Sequence, residues 1–167
     1  LLNSHIIVAN QNDKETMNYI KQTISKNQSI KIYFNEDFSY SVGENDFFYF
    51  EDKKGGLKLP KPNVLGQFQL ENISTAIATI RALDLNVSDE NIKSGIQKIN
   101  NVARLQEIKS GKLKKLVKNN KLIVDGSHNE DGARVLNEYL KTLDCDKHVI
   151  LGMMANKDHE KYISYFQ

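Results

Sequence analysis

The first third of the chain alternates between strand-like and helix-like spacing of its hydrophobic residues. Leu2–Asn10 contains the β-branched run His5–Ala9, which predicts a buried strand. Asn12 and Glu15 then form a capping-box pattern and predict a helix of about 14 residues. Its apolar stripe consists of Met17, Ile20 and Ile24. Ile30–Phe34 predicts a second strand, which completes a β-α-β unit.

Short aromatic runs separated by turn-forming residues occupy Phe38–Lys58, and they predict antiparallel hairpins. The turn-forming residues are Gly43, Asn45, Gly55 and Gly56. Pro60 and Pro62 end this region, because proline cannot donate to a strand ladder.

Two amphipathic helices are predicted next. The stripe of the first consists of Leu70, Ile73, Ile77, Ile80 and Leu83. Ser88 is the predicted N-cap of the second, with Val87 stapled against Ile92. The buried stripe of that helix consists of Ile92, Ile96 and Ile99.

The pattern changes near residue 102, where we place a domain boundary that divides the chain into 1–102 and 103–167. A basic, hairpin-like stretch, Leu105–Lys121, precedes a predicted strand at Leu122–Val124. A helix follows whose inward residues are Ala133, Leu136, Leu140 and Leu143, and Val149–Leu151 predicts another strand. This order is typical of the opening of a parallel α/β sheet.

Composition adds little to this picture. The chain is 40% hydrophobic and 26% charged with a net charge of +2, so no polyanionic partner is demanded. A single cysteine, Cys145, fits a reduced cytosolic setting. The apolar runs are far shorter than the roughly 20 residues of a membrane helix. Because the sequence starts at Leu1 and stops at Gln167 in a helical pattern, we expect both ends to be internal to a longer protein.

The densest cluster of chemically active side chains is Asp125–Asn129, between a predicted strand and a predicted helix. In open parallel sheets ligands bind at the carboxyl ends of strands, and helix N-termini offer free amides to anions. Asp125 could accept hydrogen bonds from a ribose or orient a cation, and His128 offers a titratable donor and acceptor. The alternative is a well-capped turn, for which Asp, Ser and Asn are favoured anyway.

Gly66–Asn72 is a second candidate, where a glycine-containing loop enters a helix. Gln69 and Asn72 lie three residues apart, so their amides could recognise the edge of a base. The alternative is a glycine-hinged helix start with exposed polar residues.

Two further candidates carry charge. Arg104, in the predicted linker Ala103–Gln106, could reach a phosphate with its planar donor fork, or could be a surface arginine. Lys157 and Asp158, within Gly152–Asp158, could contact a ligand or form a solvated charge pair at a helix start.

Several signatures are absent from the 167 residues: G-x-x-x-x-G-K-S/T, G-x-G-x-x-G and H-E-x-x-H. Ser127 and His128 are adjacent and do not form a nucleophile elbow. Lys112–Lys121 is interleaved with leucines, which favours a solvated face over a nucleic-acid patch.

In order along the chain, these segments resemble the folylpolyglutamate/dihydrofolate synthase family of the Mur ligase superfamily. The family pattern combines G-x-H-Q-x-x-N-A, G-R-L-Q, D-G-A-H-N-P and a strand end similar to G-x-x-x-D-K-D. The matching segments here are Gly66–Asn72, Ala103–Gln106, Asp125–Asn129 and Gly152–Asp158. The resemblance implies an α/β fold in which 1–102 ends a central ATPase domain of the Mur-ligase type. Residues 103–167 would begin a truncated, Rossmann-like parallel α/β glutamate ligase domain.

The resemblance also implies chemistry. ATP would phosphorylate the carboxylate of dihydropteroate or a folate, and the amine of L-glutamate would attack the acyl phosphate. By position, Asn72 would contact the adenine of ATP and Asp125 would contact its ribose. Arg104 would contact the phosphates and act as a catalytic residue. His128 would be catalytic and near the glutamate. Lys157 and Asp158 would contact substrate.

The chain departs from the family pattern at Phe68, Ala103, Ser127 and Glu130, where the pattern has His, Gly, Ala and Pro. In the family the P-loop and the Mg²⁺ ligands lie upstream, so we expect no metal ligands here and no ligase activity from these 167 residues alone. We expect the full-length protein to be a cytoplasmic monomer with no nucleic-acid or membrane partner. The alternatives are another Mur-superfamily amino-acid ligase and a non-catalytic nucleotide-binding module.

Overall fold

The computed structural model describes residues 4–44 and 47–167, so the predictions that involve Leu2 and Asn45 lie outside the described residues. The chain divides into two compact units. The first unit runs through Asn63 and includes Gln69–Ile99, and the second comprises Val64–Phe68 and Asn100–Gln167. The assignment of 1–102 and 103–167 to an ATPase domain and a ligase domain stays a prediction.

The first unit begins with the predicted β-α-β element. Strands β1 (His5–Val8) and β2 (Ile30–Tyr33) pair in parallel, and helix α1 (Lys14–Ser25) connects them. The expected capping box is wrong by one residue, because Asp13 is the N-cap and its carboxylate accepts from the Thr16 amide at 2.6 Å. A carboxylate at this position satisfies the free amide and also complements the helix dipole.

The predicted hairpins are confirmed. Strands β3 (Phe38–Val42), β4 (Phe47–Asp52) and β5 (Gly55–Pro60) form an antiparallel sheet in that order. Alternate side chains point into the core, where Phe48 and Phe50 are fully buried.

Helices α2 (Phe68–Ala82) and α3 (Asp89–Gln97) follow, as expected. The Ser88 hydroxyl accepts from the Asn91 amide at 3.2 Å, which confirms the predicted N-cap, and α3 packs on β5. Leu83 lies beyond the end of α2 and is 48% exposed, so its assignment to the buried stripe is wrong.

The second unit contains a two-stranded antiparallel sheet of β6 (Gln106–Glu107) and β7 (Ile123–Val124). The stretch between these strands is not a simple hairpin, because it includes the short helix α4 (Lys112–Leu116). The Lys114 ammonium donates to the Lys118 and Asn120 carbonyls at 2.9 and 2.6 Å, so this lysine closes the turn.

Helix α5 (Glu130–Lys141) follows β7, and α6 (His159–Ile163) continues into a 3₁₀ turn, Ser164–Phe166. The predicted strand at Val149–Leu151 is wrong, since that segment lies outside every strand and Ile150 is 99% exposed. A short apolar run becomes a strand only where a neighbouring strand pairs with its backbone, and no strand of the described residues pairs with this segment. The mixed α/β class is confirmed by the parallel β1–β2 pair together with the helices.

Candidate functional site

Two loops of the second unit are joined by hydrogen bonds to one carboxylate. We call Ala103–Gln106 the Arg104 loop and Asp125–Asn129 the His128 loop. The Asp125 carboxylate accepts the Leu105 amide on Oδ2 and the Ser127 amide on Oδ1, both at 2.8 Å. The Gly126 amide adds a third bond, donating to the Ala103 carbonyl at 2.8 Å. Asp125 therefore holds the Arg104 loop against its own loop through the backbone.

The backbone around Arg104 is unusual. Its neighbours Ala103 and Leu105 both adopt left-handed conformations, with φ of 53° and 48°. Such conformations cost free energy in residues other than glycine and persist where the surroundings hold them. Here Asp125 fixes Leu105, and the Gln106 side-chain oxygen accepts from the Ala103 amide at 3.0 Å. Arg104 itself is exposed, so its guanidinium extends from a fixed backbone into solvent.

Leu105 anchors the same loop by burial, with 2% of its surface exposed. Gly66 makes room for it, because a Cβ at that position would lie 2.9 Å from Leu105 Cδ1 and 2.5 Å from Phe68 Cε1. Gly66 also has a φ of 90°, which favours glycine. Phe68, which stands where the resembled pattern has histidine, packs against Gly66.

His128 is exposed, and its Nδ1 lies 3.0 Å from the Gly126 carbonyl oxygen. A carbonyl oxygen only accepts, so in the neutral ring Nδ1 carries the proton and Nε2 offers its lone pair to solvent. The next residue, Asn129, is the N-cap of α5 and accepts from the Gly132 amide at 2.9 Å. The imidazole therefore has one occupied and one available nitrogen.

The predicted site residues in α2 differ in accessibility. Asn72 is exposed, whereas Gln69 is 2% exposed. The expectation that both amides share an accessible face is therefore wrong, and only Asn72 is open to a ligand. Asn72 belongs to the first unit, whereas Arg104 and His128 belong to the second.

Lys157 and Asp158 lie at the start of α6. The Asp158 carboxylate accepts from the Lys161 amide at 3.0 Å as the N-cap, and Lys157 is half-buried, with its amide donating to Met154 at 3.0 Å. Their contact with a substrate stays a prediction, as do the roles of Asn72, Arg104 and Asp125.

A set of contacts that the sequence did not predict ties the His128 loop and α5 to α6. The Ser127 and Tyr162 hydroxyl oxygens lie 2.6 Å apart, and Tyr162 is 3% exposed. Glu130 accepts from Lys161 at 2.5 Å and from the Tyr165 hydroxyl at 3.0 Å. The pKa of Glu130 lies below its ordinary value, mainly because of the hydrogen bond from Lys161 and secondly because of the one from Tyr165.

Gly132 is a further residue that the sequence did not single out. A Cβ there would lie 2.6 Å from Ser127 Cβ, so the first turn of α5 leaves space for the His128 loop. The local signal that could have found it is a glycine inside a predicted helix, where glycine is otherwise disfavoured.

The described part of the chain offers neither a metal-binding cluster nor a membrane-spanning helix. No group of three or more His, Cys, Asp or Glu side chains in residues 4–44 and 47–167 is placed to hold a metal ion. No helix within these ranges is long and apolar enough to cross a membrane.

Comparison with known proteins gives consistent relatives, although no family model matches the chain. The folylpolyglutamate synthase of Lacticaseibacillus casei is 29% identical over 135 residues, which cover 75% of this chain and 30% of that protein. The dihydrofolate synthase/folylpolyglutamate synthase of Escherichia coli K12 is 31% identical over 125 residues, which cover 73% of this chain and 26% of that protein. The solved E. coli FolC complex with DHPP and ADP has a TM-score of 0.78 at 26% identity, covering 99% of this chain and 37% of that one.

These matches show that the fold of this chain is of the Mur-ligase type. This chain spans less than a third of the length of the curated relatives it matches. Within that class it is similar to a segment of the folylpolyglutamate and dihydrofolate synthases, and the resemblance expected from the sequence is confirmed.

Proposed function

We propose that the chain forms part of an ATP-dependent amide ligase that adds L-glutamate to dihydropteroate, to folates or to both. The observation that carries the proposal is the junction of the two loops, in which Asp125 holds the backbone on both sides of Arg104 beside the His128 loop. The similarity to folylpolyglutamate and dihydrofolate synthases supports the reaction class. The FolC complex that contains ADP supports the use of ATP.

Arg104 would stabilise the phosphoryl group during its transfer from ATP to the substrate carboxylate. Its guanidinium stays charged and presents a planar fork of donors that fits phosphate oxygens. Phosphoryl transfer requires mainly positioning and charge stabilisation, and a guanidinium on a fixed backbone loses little freedom when it binds. The left-handed conformations at Ala103 and Leu105 fit this purpose, because strain of this kind occurs at functional sites.

His128 would act in the second step, in which the glutamate amine attacks the acyl carbon and inorganic phosphate leaves. The glutamate ammonium must lose a proton before its nitrogen can form the amide bond. His128 Nε2 is the available acceptor, because Nδ1 is engaged with the Gly126 carbonyl. His128 would thus take the first proton that the glutamate ammonium loses, and the second, released from the nitrogen after the attack, would leave with the inorganic phosphate.

The remaining predicted contacts belong to the same proposal. Asn72 would contact adenine, and Asp125 the ribose, because each carboxylate oxygen can accept a second hydrogen bond besides the backbone amide. Lys157 and Asp158 would contact substrate. The whole enzyme would be a cytoplasmic monomer.

The loop that binds the ATP phosphates would lie outside these 167 residues. The 167 residues contain no P-loop motif, and the described residues contain no acidic cluster that fits Mg²⁺. We therefore propose that this chain alone does not turn over.

The proposal is tested on a longer protein that contains this segment. Formation of ADP should require glutamate together with dihydropteroate or a folate as acceptor. Arg104→Ala should lower kcat by about 10²- to 10³-fold, which is typical when one group that stabilises transition-state charge is removed. Arg104→Lys should recover part of the loss.

Arg134→Ala is the matched control, because Arg134 is an arginine of α5 that pairs with Asp131 and Glu138 and belongs to neither loop. Its kcat should stay near that of the parent. Absence of glutamate-dependent ADP formation in the longer protein would refute the proposal, and so would an Arg104→Ala variant with unchanged kcat. Turnover by the 167-residue chain alone would refute the proposed inactivity.

A further inference from the structure

Ser127, the residue before His128, is fixed at three points. Its amide donates to Asp125 Oδ1 at 2.8 Å, and its hydroxyl lies 2.6 Å from the Tyr162 hydroxyl. Its Cβ would lie 2.6 Å from a Cβ at position 132, so the glycine there avoids a clash with Ser127. The backbone that enters His128 is therefore held from its own loop, from α5 and from α6.

His128 is also held on its other side. The following residue, Asn129, caps α5, and the imidazole Nδ1 lies 3.0 Å from Gly126. The Nδ1 bond spans only two residues, so its geometry depends on the backbone at Ser127, which lies between the carbonyl and the ring. A change in that backbone would misalign the bond, and hydrogen bonds weaken steeply with poor angles.

Tyr162 supplies the one side-chain bond to the Ser127 hydroxyl that the structure shows. It lies in α6, 35 residues away, and its ring packs 5.5 Å from that of Phe166. Because only 3% of the Tyr162 surface is exposed, losing the bond with Ser127 would leave a polar group in a buried side chain without that partner, which costs free energy. Lys161 and Tyr165 hold the same segment to Glu130, which fixes α6 against the start of α5.

We propose that Tyr162 is a positioning residue for His128 and acts through the Ser127 hydroxyl. The bond keeps the Ser127 backbone in the conformation that aligns Nδ1 with the Gly126 carbonyl. The neutral imidazole then keeps its proton on Nδ1 and its lone pair on Nε2. Without the bond, the ring exchanges between its two tautomers and rotates more freely.

The test is made on the 167-residue chain with ¹⁵N-labelled histidine. Nuclear magnetic resonance distinguishes the two ring nitrogens and gives the tautomer populations of His128 in the neutral ring. Wild type should be predominantly protonated at Nδ1. Tyr162→Phe keeps the ring and its packing but removes the hydroxyl, and should lower the ratio of the Nδ1–H to the Nε2–H form by roughly 2- to 10-fold, as expected for one hydrogen bond.

Ser127→Ala removes the other partner of this bond and should give the same shift. The Tyr162→Phe/Ser127→Ala double variant should shift no further, because both substitutions break the same hydrogen bond. Tyr165→Phe is the matched control, since it also removes one tyrosine hydroxyl from this segment, but its partner is Glu130. Because the ion pair between Lys161 and Glu130 still holds α6, this variant should leave the tautomer ratio of His128 unchanged. Backbone amide spectra report whether each variant is folded, which separates a local effect from a general loss of structure.

The proposal is overturned if Tyr162→Phe leaves the ratio as in wild type, or if Tyr165→Phe shifts it equally. The positioning of His128 by Tyr162 rests on the proposed function only in one respect, the role of His128 Nε2 as proton acceptor. In the longer ligase, Tyr162→Phe should lower kcat by roughly 2- to 10-fold with little change in KM for ATP. Because the tautomer measurement needs no turnover, a chain without ligase activity could still show the predicted shift, and the two proposals can fail separately.

Discussion

Asp125→Asn is the substitution that most directly tests the junction between the two loops. In the wild type, two carboxylate oxygens accept two backbone amides, those of Leu105 and Ser127. Asparagine has nearly the same shape but only one acceptor oxygen. Whichever amide keeps that oxygen, the other faces the side-chain NH₂ group, donor against donor.

The magnitude follows from the loss of one charge-assisted hydrogen bond and the weakening of the other. A hydrogen bond to a charged group contributes about 1.5–3 kcal/mol. At about 1.4 kcal/mol for each factor of ten, the equilibrium constant for local opening of the loops should rise by roughly 10- to 150-fold. The strain stored at Ala103 and Leu105 acts in the same direction, because it favours release once the clamp is weakened.

Amide hydrogen exchange of the 167-residue chain measures this opening residue by residue. Protection of Leu105, Gly126 and Ser127 should fall by the predicted factor, while the amides of β4 in the first unit keep theirs. Asp131→Asn is the control with the same change of charge, because Asp131 is 80% exposed and pairs with Arg134. If Asp125→Asn leaves the exchange of Leu105 and Ser127 unchanged, the carboxylate does not hold the junction and the reasoning fails.

Three further predictions concern stability measured by urea unfolding. Ala103→Gly should stabilise the second unit by up to about 1 kcal/mol. Glycine adopts the left-handed conformation without strain, and this gain exceeds the cost of the extra conformational entropy of the unfolded chain. An unchanged urea midpoint would contradict this. Gly132→Ala should destabilise it by about 1–2 kcal/mol despite better helix propensity, because the new Cβ meets Ser127; a stabilised variant would show the opposite. The pKa of Asp37 lies below its ordinary value, mainly because its carboxylate accepts a hydrogen bond from the Tyr33 amide. Asp37 therefore stabilises the fold above the unfolded pKa and loses this contribution below about pH 4. Asp37→Asn should flatten the acid limb of a stability–pH curve, and an equally steep limb would exclude the effect.

The elements of the fold that the sequence predicted correctly depend on local patterns. Ser88 caps α3 as predicted, because a hydroxyl before a free amide is a strong signal by itself. Ile92 and Ile96 are buried as their spacing predicts. Asn12 failed as a cap because the next residue, Asp13, is an equally good candidate with a charge in addition. The spacing of side chains alone does not separate two such neighbours.

The failures at larger scale have a different cause. Val149–Leu151 has the composition of a strand, but a strand is defined by its partner, and partners do not follow from one segment. The site shows the same limit. Its motifs placed Asp125 and His128 in one loop, whereas the bond between Ser127 and Tyr162 joins residues 35 positions apart, which no local pattern connects.

The four residues of the Arg104 loop differ in what they tolerate. Arg104 is the one whose side chain is exposed, whereas Leu105 is buried and Gln106 satisfies a backbone amide. Ala103 contributes a backbone angle that glycine adopts more easily. A sequence search that weights the four positions equally therefore mixes two kinds of evidence. Under the proposed function, a change at Arg104 in a distant relative would signal different chemistry. A change at Ala103 would signal only a different accommodation of the same turn.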